Sequence, residues 1–340
     1  MRLQLAVLAA LVLPLSSCGG SGSESPSGTT AVAPLTKAQA QEILSSYQTT
    51  NNRANMALDA KLLASAETGA QLDMDTAGYK LRRATGQKFV EFTYSKPVFY
   101  IPRPAGFPRW FAVDAVSSGQ RPKQRSGQGS GQREVPPMVQ QHRHALLFVQ
   151  DKAGAPWRLA ADPYPTNRSL GGIAVDAAGY ATAVAPNDAR LALAPTKVGA
   201  AHAALLTKGP KAAGTTGIGA GLHTTQSYAA LRKATGQFTR IGIGLTSQFA
   251  PSTAPVFALR TTDGGALVWY VLRQNETYAS RKPGTVSITG DLVGLAPPGK
   301  VQKQLDTTVL IQYLSKIPPK GKGAVEVIGT YRKAVQAAAS

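Results

Sequence analysis

Histidine is the side chain best suited to acid–base or metal chemistry near neutral pH. This 340-residue sequence has four, His142, His144, His202 and His223. In "HRH", His142 and His144 stand two apart, so a strand there puts both on one face and supplies half of a metal site. No third ligand is near them in the sequence, and two surface histidines at a loop–strand junction explain the pair more simply. An Asp–His pair inside a cavity would do general acid–base work. The first part of the chain offers Asp59 or Asp114 to His142 or His144, and the second offers Asp263 to His223. Spacing settles none of these pairings, and an isolated acid or histidine is more often a surface or structural residue. The serine nucleophile motif G-x-S-x-G does not occur. "GTTGIGAGL" (214–222) resembles a phosphate cradle only superficially, since it lacks the closing lysine and reads as a linker. With 18 acidic residues, paired-carboxylate mechanisms have little to draw on. The aromatic residues Trp110, Trp157, Trp269 and Tyr270 read as core. The sequence therefore assigns no catalytic residue, no cofactor and no metal.

The charge is more informative. Against those 18 acids stand 37 Lys and Arg, a net +19. That excess favours anionic partners: phospholipid headgroups, anionic cell-wall polymers or nucleic acid. Part of it lies in "SGQRPKQRSGQGSGQREVPP" (118–137), which has no apolar residue to fix it before Val135. This stretch reads as a basic disordered insert between strands. Its Arg121, Lys123, Arg125 and Arg133 are the candidate contacts to an anionic surface.

The single cysteine, Cys18, closes the amino-terminal segment. Met1-Arg2 supplies a positive start, and Leu3 to Leu15 is an almost unbroken apolar run. Such a run falls short of the roughly 20 residues that span a bilayer and reads as a signal-peptide core. Leu15-Ser16-Ser17-Cys18 resembles the lipobox of bacterial lipoproteins. The resemblance implies cleavage before Cys18, a diacylglycerol thioether on its sulfur and acylation of the new amino terminus. Several acyl chains hold a protein on a membrane far better than one. The expected location is the extracytoplasmic face of the cell membrane, which excludes nucleic acid as a partner. Disulfides and thiolate catalysis are excluded with the thiol occupied. Residues 1–17 are thus read as signal peptide and 18–35 as a flexible Gly/Ser-rich tether reaching on the order of 20 Å.

Helix signals begin at Thr36, a cap for a helix carrying Ala38, Ile43, Leu44 and Tyr47. A short helix over Asp59–Ser65 follows, then one that ends at Gly86. The period then changes to two, giving strands in "FVEFTYSKPVFYIP", "PRWFAVDAV" and a hairpin in "HALLFVQDKAGAPWRLAADPYP". After a connection the pattern repeats. Leu81–Gln87 and Leu231–Gln237 share six residues of seven. Pro97-Val98-Phe99 then precedes Trp110-Phe111, as Pro255-Val256-Phe257 precedes Trp269-Tyr270. The expected architecture is α+β in two similar halves, each with amino-terminal helices packed on a twisted antiparallel sheet. Residues 36–165 form the first half, 166–194 a connection and 195–338 the second. The last segment, "YRKAVQAAAS", also suits a helix.

This layout is similar to the cone-shaped nuclear-transport-factor-2-like and cystatin-like architectures. Lipobox, tether and tandem halves together resemble a family of uncharacterised actinobacterial lipoproteins. The resemblance implies membrane attachment and carries over no catalytic residue. The expected role is non-enzymatic: a lipid-anchored binding or scaffolding module of the cell envelope, held near anionic lipid or wall polymer, with no protein partner identified. The alternative is a small-molecule enzyme or carrier using the cavity of one half, built around an Asp–His or Asp–Tyr pair.

Overall fold

Thr36 starts the first helix through a reciprocal cap. Its hydroxyl accepts from the Gln39 amide at 3.2 Å, and the Gln39 side chain accepts from the Thr36 amide at 2.7 Å. Helix α1 (Lys37–Ala57) buries Leu44 and Tyr47, and further along the polar Asn51 and Asn55. Helix α2 (Ala60–Leu63) is capped by Asp59. Helix α3 (Gly69–Thr85) stops at Gly86, whose φ of 68° is the left-handed conformation that glycine takes at least cost. The computed structural model describes residues 35–103, 106–119, 141–166, 169–280, 286–297, 300–301 and 303–340.

Strands β1 (Phe92–Tyr100), β2 (Arg109–Gly119), β3 (Gln141–Gln150) and β4 (Arg158–Ala161) form an antiparallel sheet in that order. On one face Phe111, Val113, Ala115, Leu146 and Phe148 pack beneath α1. The edge of β1 is closed by α1 side chains: Asn52 exchanges hydrogen bonds with the Phe92 backbone, and Gln48 accepts from the Tyr94 amide. An edge covered in this way cannot pair with another chain. Strand β2 runs through Gly119, into the first two residues of the stretch read as a basic insert.

Strand β5 (Tyr164–Pro165) leaves this sheet and joins the second, pairing with β12. The second half has α4 (Pro195–Lys208), a π-helical turn over Leu222–Gln226, and α5 (Ser227–Arg240). Strands β6 (Ile243–Pro251), β7 (Phe257–Arg260) and β8 (Ala266–Ser280) follow. A short pair comes next, β9 (Val286–Ser287) with β10 (Lys300–Val301), and then β11 (Gln304–Ile317) and β12 (Glu326–Ala339). The second sheet has the order β5-β12-β11-β8-β6, with β7 also on β8. The architecture is thus α+β with two antiparallel sheets.

The likeness of the halves is clearest at the Pro-Val-Phe phrase. In β1 the register slips between Ser95 and Val98, where Lys96 takes φ of 52° and Pro97 has no amide hydrogen for the ladder. In the second half the same place is a full break, with β6 and β7 both pairing to β8 on either side of it. Two expected correspondences fail. Trp269 pairs with Phe257, whereas Phe99 pairs with Val113, so Trp110 is three residues from the equivalent position. Helix α5 also does not stop at Gly236. Phe238 packs edge-on against Tyr278, which extends the helix to Arg240, and Gly242 at φ of 82° makes the turn. The carboxyl-terminal segment is strand, because pairing with β11 through Leu305↔Ala339 outweighs alanine's helix preference.

Both halves belong to one compact unit. In β8, Leu267 and Trp269 face the first half, while Val268, Tyr270 and Leu272 face a core shared with α4. The shared core joins Trp110, Ala145 and Leu147 to Phe257, Leu267, Trp269 and Leu314. Trp269 also donates from Nε1 to the Ala145 carbonyl at 2.9 Å. Each large apolar side chain buried here is worth about 1.5–3 kcal/mol.

Candidate functional site

Polar side chains collect where α1, α3 and the first sheet meet the second. Ser117 and His144 lie on one face of the first sheet. The register pairs Ser117 with His142 and Ala115 with His144, which makes Ser117 and His144 diagonal neighbours. His144 Nε2 lies 2.7 Å from Ser117 Oγ, and Nδ1 lies 2.7 Å from Asp162 Oδ2, just beyond β4. A carboxylate oxygen accepts, so Nδ1 carries the ring hydrogen and Nε2 accepts from the serine hydroxyl. Tyr94 and Tyr164 meet the ring edge-on at 5.2 and 5.0 Å. Ser117, His144 and Asp162 are each buried.

Behind them runs a second chain of hydrogen bonds. Glu67, fully buried, accepts from Tyr47 Oη at 3.1 Å and Asn51 Nδ2 at 2.7 Å. Asn55 donates to Asn51 and accepts from Arg82. On α3, Gln71 donates to Asp75 at 2.9 Å. The second half holds these groups from outside. Tyr331 donates to Asp75 at 3.0 Å, and Gln312 donates to Gln71 at 3.0 Å while accepting from the Asp162 amide at 2.6 Å. Burial, then the adjoining Asp75, holds the Glu67 carboxyl well above the usual carboxylate range. Burial also raises Asp75, against hydrogen bonds from Gln71 and Tyr331 that favour its anion.

Ser117, His144, Asp162, Tyr47, Asn51 and Asp75 border a cavity of about 370 Å³, with Arg82, Phe89, His142 and Tyr164 also on its wall. The Arg82 guanidinium stands 5.2 Å from the Phe89 ring centre. A larger depression of about 730 Å³ beside α1 is more open, and Glu42 and Arg109 are its only charged lining residues. The smaller cavity has the chemistry. Among the described residues, no three His, Cys, Asp or Glu side chains come together to hold a metal ion.

A family described as a domain of unknown function, DUF8094, matches residues 31–339. The chain belongs to that family. It is similar to an uncharacterized lipoprotein of Streptomyces avermitilis, 27% identical over 295 residues that cover 84% of this chain and 80% of the relative. Two uncharacterized lipoproteins of Streptomyces coelicolor are also similar. SCO2278 is 28% identical, covering 86% of this chain and 83% of its own length, and SCO6871 is 28% identical, covering 81% and 76%. No solved structure matches significantly. The homologues agree with the expected likeness to uncharacterised actinobacterial lipoproteins. No helix among the described residues is long and apolar enough to cross a membrane.

The sequence-predicted residues fall in several places. Cys18, Arg121, Lys123, Arg125 and Arg133 lie outside the described residues. His142 and His144 do share a strand face, with His142 exposed and stacked on Tyr164 at 6.2 Å. Neither candidate acid joins them. Asp59 caps α2, and Asp114 points to the opposite face, where it binds Arg143 and the Leu170 amide. The partner is Asp162. His223 and Asp263 are also apart: Asp263 closes the β7–β8 turn through the Gly265 amide, while the His223 carbonyl meets His202 Nε2 at 2.8 Å. His202 is fully buried, and burial lowers its pKa to about 4. Part of the 214–222 stretch bonds to β12's approach, with the Gly219 amide on the Val325 carbonyl at 2.8 Å. Sequence reasoning missed Ser117, Asp162, Glu67, Asp75, Gln312 and Tyr331. "HRH" was the one signal near them.

Proposed function

We propose that this chain is a lipid-anchored protein of the extracytoplasmic membrane face whose cavity takes up a small polar molecule. The observation that carries the reading is the polar cavity itself. Buried acids, amides and tyrosines are costly to desolvate, yet the first half gathers them around one cavity. A volume of about 370 Å³ is at the small end of ligand sites. The names of the relatives, the Leu15–Cys18 sequence and the net charge of +19 support the anchored, envelope-facing part. On this reading the acyl chains hold the protein in place and its basic charge keeps it close to anionic lipid or wall polymer. The role is one of binding, and Cys18 is the lipidation site. The cone-like likeness is proposed for the first half, where α1 covers one face of a four-stranded sheet.

Native mass spectrometry of the full chain released gently from membranes tests the ligand. A bound small molecule should accompany the wild type and be absent from Gly119→Trp. Gly119 lines the cavity, and a Cβ added there meets Val90 at an ordinary 3.5 Å and the Glu91 carbonyl at 3.8 Å, so the position accepts a side chain that occupies the space. The same bound mass on both proteins, or none on either, would remove the reading.

A further inference from the structure

We propose that Ser117, His144 and Asp162 form a nucleophilic relay that cleaves small carboxylic esters held in the cavity. The inference rests on the reading of that cavity as a ligand site. The order of contacts is the one serine acyl transfer needs: hydroxyl to Nε2, Nδ1 to carboxylate. All three residues border the same cavity. Each is held from outside the relay. Ser117 sits in a central strand, tyrosines flank the imidazole on two sides, and Gln312 of the second half fixes the Asp162 backbone. Asn55 and Arg82, which carry N–H donors of the kind an oxyanion needs, border the same cavity.

The other serine–histidine connection in the molecule shows what is special here. Ser315 Oγ meets Tyr270 Oη at 3.1 Å, and Tyr270 Oη meets His202 Nδ1 at 2.9 Å. A phenol stands between that serine and its imidazole, and the far ring nitrogen meets a backbone carbonyl instead of a carboxylate. Ser315 has no base at its oxygen. Ser117 has one.

The reaction balances with water as the only co-reactant. Ser117 Oγ bonds to the ester carbonyl carbon as its proton passes to His144 Nε2. The carbon–alkoxide bond then breaks, and the leaving alcohol takes that proton. Water attacks the acyl-serine, gives a proton to Nε2, and the carboxylic acid departs as Ser117 recovers its hydrogen. Ser117 and His144 are catalytic residues here, and Asp162 is a positioning residue.

The test treats full-length protein with a fluorophosphonate probe, locates the adduct by peptide mass spectrometry, and measures hydrolysis of 4-nitrophenyl acetate. A single adduct on Ser117 is expected, with hydrolysis falling about 100-fold or more in Ser117→Ala. Asp162→Asn should lower kcat while leaving KM nearly unchanged, and Ser315→Ala should match the wild type. Melting temperatures of the variants check that each is folded. No adduct on Ser117, together with equal hydrolysis by Ser117→Ala, overturns the relay. If a small molecule still co-purifies with the wild type and not with Gly119→Trp, that failure belongs to the relay alone. If co-purification also fails, the cavity reading falls with it.

Discussion

Tyr331, near the carboxyl terminus, donates a hydrogen bond to Asp75, which lies 256 residues earlier on α3, at 3.0 Å. With Gln312 on Gln71, this contact makes the site a joint product of both halves. The cavity itself is lined by the first half, and Tyr331 and Gln312 of the second half brace its wall residues. Tyr331→Phe removes the donor and leaves a buried carboxylate oxygen without its partner. The expected cost is about 1–3 kcal/mol in urea unfolding. The same change should raise the Asp75 pKa further, since the Tyr331 bond favours the anion. Carboxyl NMR titration reads that shift. A lowered or unchanged Asp75 titration would contradict the assignment.

The Glu67–Asp75 pair gives stability a pH dependence with a definite sign. Both groups have folded pKa values above their unfolded ones, Glu67 by burial and then by Asp75. Between the ordinary carboxylate range and those raised values, the folded chain holds a proton that the unfolded chain has released. Their contribution is complete below the unfolded pKa values and is lost as pH rises through the folded ones. Asp188 acts in the opposite sense. Hydrogen bonds from Arg190, and then its contact with Arg260, lower its pKa, so its contribution disappears as pH falls below the ordinary aspartate range. Urea midpoints should therefore decline from mildly acidic to alkaline pH. Glu67→Gln keeps the acceptor for Tyr47 and Asn51 and removes the titrating carboxyl. It should flatten the alkaline part of the profile and stabilise the protein there. A slope equal to that of the wild type would show that Glu67 is not the group responsible.

The local elements were legible because local chemistry decides them. Thr36 with Gln39, Asp59, Gly86 and Asp263-Gly264 are short-range signals, and each ends or starts an element where expected. Period two also placed His142 and His144 on one face. Asp162 could not be found this way. Its partnership with His144 depends on the β3–β4 register, which a bulge shifts between Leu147 and Phe148. Ser117 joins them through the β2–β3 register, and that connection is too long for turn geometry to set it. Nor does any sequence spacing link Asp75 to Tyr331 or Gln71 to Gln312, because sheet-to-helix packing brings them together. The second copy of the repeated phrase misled for a related reason. Phe238 finds Tyr278 across the fold, and that contact carries the helix past Gly236.

Trp269 joins the halves through both its ring and its indole hydrogen. Trp269→Ala should cost about 3–5 kcal/mol, the range for removing a large buried aromatic side chain. Tryptophan fluorescence comes from Trp110, whose ring lies 5.2 Å from that of Phe257, from Trp157, and in the wild type also from Trp269. Far-ultraviolet circular dichroism reports on both sheets. In the wild type the two signals should change at one urea concentration, because the shared core couples the halves. In Trp269→Ala the transition should move to lower urea and the two signals should separate. A wild-type protein whose probes already separate would show that the halves unfold independently.

Membrane attachment is predicted to have two components that salt distinguishes. Acyl chains on Cys18 contribute about 0.8 kcal/mol for each buried CH₂ and are insensitive to ionic strength. The excess of 19 positive charges attracts anionic surfaces through a field screened within about 10 Å at 0.1 M salt. Wild-type protein should therefore remain with the membrane fraction in high salt. Cys18→Ala should leave it, with any remainder released as salt rises. Purified protein lacking the lipid should bind vesicles rich in phosphatidylglycerol at low salt and lose most of that binding by about 0.5 M, where the screening length falls to a few ångströms. Zwitterionic vesicles should bind little under either condition. Equal partitioning of Cys18→Ala and wild type in high salt would exclude the anchor, and vesicle binding unchanged by salt would exclude the electrostatic component.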